Sequence, residues 1–161
     1  MYILLLQTFC ILMIIYILSY VGSLVYNKIK ENYTQKEPII VELKDTIKNM
    51  IKDKKFEGYL EPLNKKDIFE EISIHKGEKS YTINKTKIYL CLTDKEGNYY
   101  NKNMLVYVLL HELSHCICDE IGHTEKFHNI FKELLQHAIQ SGVYNPDIPI
   151  ITNYCPGPDV N

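Results

Sequence analysis

The chain has 161 residues, is 46% hydrophobic and carries a formal charge of −2 at pH 7. That length suits one domain of ordinary size and leaves little room for two. The near-neutral balance excludes a strongly basic nucleic-acid binder, and with no arginine among the 18 basic residues the chain has no bidentate phosphate fork and no arginine finger.

The charges are unevenly placed: none falls in the first 27 residues. Residues 1–26 read as a continuous apolar helix. At 1.5 Å per residue it would span about 39 Å, more than the about 30 Å of a bilayer hydrocarbon core. A cleaved signal peptide would want a basic start, a shorter apolar run and a small-residue cleavage site. No basic residue precedes Lys28, and Gly22-Ser23 is a poor site. We therefore expect a retained single-pass anchor over residues 1–27, a polar stalk over 28–37 and a folded body over 38–161. Lys28, Lys30 and Lys36 follow the anchor, which by the positive-inside rule puts the body in the cytosol. The sequons at Asn32 and Asn84 would matter only for a luminal body.

Pro38 suits the first turn of a helix, and Ile40, Leu43, Ile47, Met50 and Ile51 recur at helical spacing over residues 38–53. The lysine-rich stretch 53–67, with Gly58 and Pro62, reads as irregular. From Ile68 the period changes. Phe69, Ile72 and Ile74 predict a strand ending at Gly77, and one or two more strands are expected at Tyr81, Ile83 and 88–92. Residues 94–98 are a turn signal. Asn103 is a candidate N-cap for a helix running to about Glu120, with Gly122 as its stop. A further helix should start near Thr124 and bury Phe127, Ile130, Phe131, Leu134, Leu135 and Ala138. The tail, with Pro146, Pro149, Pro156 and Pro158, is expected to be a surface loop. Helix, strands, then helices make the body α+β. Cys91, Cys116, Cys118 and Cys155 contain no CxxC pair, and the expectation is free thiols in a reducing compartment.

The chemistry lies in His111-Glu112-Leu113-Ser114-His115, an HExxH motif on a predicted helix. Imidazoles at i and i+4 share one helical face and can bind one zinc ion together. Glu112 stands beside the first of them, placed to act on water at the metal as a general base. A third ligand is needed, with a fourth position left open. His123, just past Gly122, is the leading candidate; Glu133 and His128 are rivals. His75 and His137 read as surface residues. The metzincin pattern is absent: its glycine and third histidine positions hold Cys118 and Ile121, and no Met follows Met104.

HELSH, a short spacer and then Gly122-His123-Thr124-Glu125-Lys126-Phe127 resemble the compact WLM and SprT-like zinc metallopeptidases. Residues 88–92, Asn98-Tyr99-Tyr100 and Asn103-Met104-Leu105 running into HELSH are also similar to small metallopeptidase-like proteins of large DNA viruses. The resemblance covers about residues 80–140. It implies a zincin-like domain with a small sheet and an HExxH helix, Zn²⁺ held by His111, His115 and His123, and Glu112 as general base. It implies a protein or peptide substrate. The segment 88–92 is a candidate edge strand for that substrate, through Tyr89 and Leu90, and Tyr154 is a candidate cleft residue. The alternatives are a zinc-binding, inactive, membrane-tethered interaction module and a metal-free helical adaptor.

Overall fold

The apolar leader forms a helix that does not stop where the charges begin. In the computed structural model, which describes residues 2–65 and 68–155, helix α1 runs Tyr2–Gln35. The segment expected to be a stalk thus continues the helix almost to Pro38. This helix is long and apolar enough to cross a membrane by length and composition, and from Leu6 to Ile29 its apolar side chains are exposed. The chain divides into two compact units, Met1–Thr34 and Gln35–Asn161.

The second unit is a mixed α+β body. Helix α2, Pro38–Ile51, starts on its proline and buries Ile40, Leu43, Ile47 and Met50 at the expected spacing. Asp53, at φ 59°, turns the chain away. The stretch expected to be irregular contains a 3₁₀ helix, Gly58–Asn64, that buries Leu60 and Leu63. A side-chain clip closes it: the Phe56 N–H donates to Asn64 Oδ1 at 2.8 Å, and Asn64 Nδ2 donates to the Phe56 carbonyl at 2.7 Å. Such a clip has no periodicity, so hydrophobic spacing could not reveal it. Lys66 and Asp67 at the end of that stretch lie outside the described residues, as do Pro156 and Pro158 of the tail.

The strand expected from Phe69 onwards begins as a single helical turn, α3, Ile68–Glu71, before β1, Ser73–Lys76. Strands β2, Tyr81–Ile83, and β3, Lys87–Leu90, complete a three-stranded sheet in the order β1-β3-β2. The β1–β3 pair is parallel and the β3–β2 pair antiparallel, with Thr82 opposite Ile88. So β3 is the inner strand, not an edge, and β2 is an outer one. Ile74, Ile88 and Leu90 join the core. The other face stacks His75 on Tyr89 and Tyr89 on Tyr81, with ring centroids 5.0 and 4.8 Å apart. His75 is therefore buried, against expectation, with its ring nitrogen 2.9 Å from Ser73 Oγ.

Helix α4, Lys102–Ile117, is capped two residues earlier than expected: Asn101, not Asn103, accepts from the Met104 N–H at 2.8 Å. It buries Leu105, Leu109, Leu110 and Leu113 completely. Helix α5, Glu125–Gln140, lays Phe127, Ile130, Leu134 and Ala138 against it, as its apolar stripe requires.

The cysteine expectation needs correcting. Cys91 and Cys155 are joined by a disulfide, 64 residues apart in sequence, while Cys10, Cys116 and Cys118 are free. Cys116 and Cys118, near neighbours at the end of one helix, form no bridge. The pairing comes instead from the tail folding back over the body. There the Cys155 N–H donates to the Tyr100 hydroxyl at 2.9 Å, and Tyr154 joins a hydrogen-bonded ring with Ser80 and Cys91.

Candidate metal centre

His111 and His115 sit one turn apart on α4, ring centroids 5.1 Å apart, as the i, i+4 spacing demands. The helix ends after Ile117 rather than near Glu120, because the backbone at Cys118 is extended. Lys85, in the β2–β3 turn, donates its ammonium to the Cys118 carbonyl at 2.5 Å and reaches the Glu120 carbonyl at 3.4 Å. A cation thus meets the carbonyl-rich end of the helix, where the helix dipole favours it. Gly122 adopts φ +84°, a left-handed conformation that suits glycine and lets the loop swing back. His123 follows at once, its ring centroid 5.0 Å from that of His111 and 4.8 Å from that of His115. Thr124 then caps α5, accepting from the Phe127 N–H at 3.3 Å.

One ligand atom from each of the three histidines lies within 4.8 Å of the others, the one such group of three among the described residues. His111 Nε2 and His123 Nε2 are 3.1 Å apart. Two nitrogens on one zinc at about 2.05 Å, in tetrahedral geometry, would be about 3.3 Å apart. The donor set therefore fits a zinc ion, with the third ligand from the loop. The rivals are elsewhere: the His128 ring centroid lies 6.3 Å from that of His123, and Glu133 is not part of the cluster. His137 lies in the last turn of α5 with its ring edge against Phe56.

Phe127 organises the three rings. It stacks on His115 with centroids 4.2 Å apart, and meets His111 and His123 edge-on at 5.0 and 4.8 Å. Burial and the neighbouring imidazoles hold the His111 pKa down to about 4. Burial also lowers His115, followed by the influence of His123 and Lys85. Neutral rings keep a lone pair free for a cation.

Glu112 is buried on α4, on the same face as Leu105 one heptad before it. Burial raises its pKa, and a hydrogen bond from Thr82 partly offsets this. Thr82 Oγ1 lies 2.8 Å from Glu112 Oε2 and 3.1 Å from the Glu112 carbonyl oxygen. The strand β2 thereby fixes the carboxylate. A cavity of about 840 Å³ opens between β2, His111, His115, His123 and the loop carrying Ile121. A second, of about 380 Å³, lies beside the same Glu112 and His111 and is walled by Met104, Val108 and Tyr154.

The sequence-derived cleft residues fare unequally. Tyr154 does line the cleft. Leu90 is fully buried in the core, and Tyr89 is half-buried between His75 and Tyr81; neither lines either cavity. The reason is the same for both: β3 is the inner strand. Thr82 and Lys85 escaped sequence reasoning, since a Thr in a three-residue strand and a Lys in a turn carry no motif.

No family model and no solved structure matches the chain. It is similar to three viral proteins. It is 52% identical over 106 residues to uncharacterized protein 136R of Invertebrate iridescent virus 6, covering 64% of this chain and 60% of that protein. It is 48% identical over 99 residues to uncharacterized protein 042R of Invertebrate iridescent virus 3, covering 61% and 62%. It is 33% identical over 103 residues to uncharacterized protein R325 of Acanthamoeba polyphaga mimivirus, covering 60% and 51%. The matches thus span about three fifths of the two iridescent-virus proteins and half of the mimivirus one.

Proposed function

We propose that this chain is a membrane-anchored zinc metallopeptidase with a zincin-like body. The observation that carries this reading is the convergence of His111, His115 and His123 to within 4.8 Å, with a buried carboxylate, Glu112, next to the first of them. A structural histidine pair would need neither the third imidazole nor a carboxylate fixed in the same cleft. Bound zinc supplies a Lewis acid and lowers the pKa of water to about 7.

The chain's own residues do the rest. His111, His115 and His123 would hold the ion. Glu112 accepts a proton from the attacking water and passes it to the leaving amine. Thr82 holds the carboxylate in the cleft, and the exposed edge of β2 gives an extended peptide a backbone to pair with. The apolar helix holds the body at a membrane, on the cytosolic side by the lysines that follow it.

Elemental analysis of the full chain in detergent tests the metal. About one zinc per chain is expected, lost in His123→Ala and retained in Glu133→Gln. Zinc lost in Glu133→Gln but kept in His123→Ala would transfer the third ligand to α5, and no zinc in the wild type would sink the reading. Thr82→Val tests the carboxylate's support. It keeps shape and removes the hydroxyl, so kcat should fall about tenfold with KM and zinc content unchanged, the size of one hydrogen bond to a charged group. Unchanged kcat would remove Thr82 from the mechanism.

A further inference from the structure

The Cys91–Cys155 disulfide is not buried in a remote part of the body. It ties residues 151–155 across the smaller cavity beside Glu112, which both Tyr154 and Cys155 line. Met104, Tyr107 and Val108 of α4 give that cavity its apolar side, and Lys79, Ser80, His111 and Glu112 line the rest of it. Its outer wall is Tyr154, whose position is fixed by a closed ring of hydrogen bonds. The Cys91 N–H donates to Ser80 Oγ at 3.0 Å, Ser80 Oγ lies 2.9 Å from the Tyr154 hydroxyl, and that hydroxyl donates to the Cys91 carbonyl at 2.5 Å. The phenol is thereby consumed at the backbone of Cys91, so Tyr154 acts here as a wall rather than as a free donor. Each link in the ring depends on the tail staying against Cys91, and the disulfide is the covalent part of that attachment.

We propose that this disulfide is a redox-operated clasp on the specificity of the cleft. Closed, it holds Tyr154 against the cavity, which then accepts one apolar side chain of limited size from the substrate. Open, it releases residues 151–155, and the cavity loses its outer wall. The reaction is thiol–disulfide exchange. A dithiol gives up two electrons and two protons and becomes a disulfide, and Cys91 and Cys155 each gain a hydrogen. Cys155 is only partly buried, which leaves its sulfur open to attack. A cytosolic body, as the lysine bias gives, would meet reductant continually, and disulfides in that compartment are as a rule transient and regulatory. The proposal rests on the peptidase reading for its substrate, but not for the clasp itself.

The test uses the zinc-loaded full chain in detergent, oxidised or treated with a water-soluble phosphine, chosen because thiols would compete for zinc. Peptides carrying Ala, Leu or Trp at single positions flanking the cleaved bond are compared by kcat/KM. The oxidised chain should prefer Leu over Trp at one position by about tenfold or more, the scale of pocket discrimination. Reduction should cut that preference at least threefold, and Cys155→Ser should match the reduced chain and no longer respond to phosphine. Hydrogen exchange gives a readout independent of catalysis: amides at Cys91 and Cys155 should lose protection on reduction. Selectivity or protection that is the same in both redox states overturns the clasp. If neither state cleaves any peptide, the peptidase reading fails, and the exchange result alone decides the clasp.

Discussion

Glu112→Gln should leave zinc bound at wild-type stoichiometry and reduce peptide hydrolysis by about 10²- to 10⁴-fold, the range contributed by a positioned general base. The two halves of this result separate the roles. Glu112 Oε2 is engaged by Thr82 on the strand side, while the three histidines converge on their own. A glutamine keeps the shape and can still meet Thr82, but it has no basic oxygen to take a proton from water. Metal content by elemental analysis and kcat on a generic peptide library measure both halves on one preparation. A variant that hydrolyses at the wild-type rate would sink the mechanism. A wild type that binds zinc and cleaves nothing would leave the membrane-tethered binding module as the better account.

Phe127→Ala should cost about 3–5 kcal/mol of body stability, the usual range for emptying a buried phenylalanine site. Phe127 is 1% exposed and touches all three imidazoles as well as the α4–α5 core. The loss should therefore extend beyond packing. With the ring gone, His115 loses its stacking partner and His123 the surface that orients it, so zinc affinity should fall with stability. Phe127→Leu keeps most of the volume and should recover most of the stability while leaving the imidazoles without an aromatic face. Urea unfolding followed by tyrosine fluorescence, available because the chain has 13 Tyr and no Trp, gives the stability. Competition with a zinc chelator gives the affinity. A stable Phe127→Ala variant with unchanged zinc affinity would reduce this residue to an ordinary core position.

Much of this was legible in the order of residues because it depends on local spacing. The apolar leader, the stripes of α2 and α5, and the pairing of His111 with His115 follow from periods of 3.6 and a gap of four. His123 was reachable because a glycine just before it can reverse the chain. What escaped depends on groups brought together from far apart. Strand order sets which strand is inner, and nothing in residues 87–90 says that β1 and β2 flank them. That one fact removed Tyr89 and Leu90 from the cleft and brought Thr82 in. His75 looked like a surface residue because its cover comes from Tyr89 on another strand. The disulfide escaped for the same reason: Cys155 meets Cys91 through a tail whose path is set by Tyr100 and Ser80 rather than by any cysteine spacing.

The bond between Cys91 and Cys155 also changes what a broken peptide bond means for this chain. Helices α4 and α5, the loop between them and all three histidines lie inside the ring it closes, which spans 64 residues. Within that ring, beside the cleft, Ile121 is 91% exposed. A nick there would open the ring without separating its parts. His111 and His115 would stay covalently joined to His123 through the sulfur bridge. Oxidised, the body would survive such damage as two chains joined by one bridge; reduced, the same cut would let the α5 half leave with its histidine.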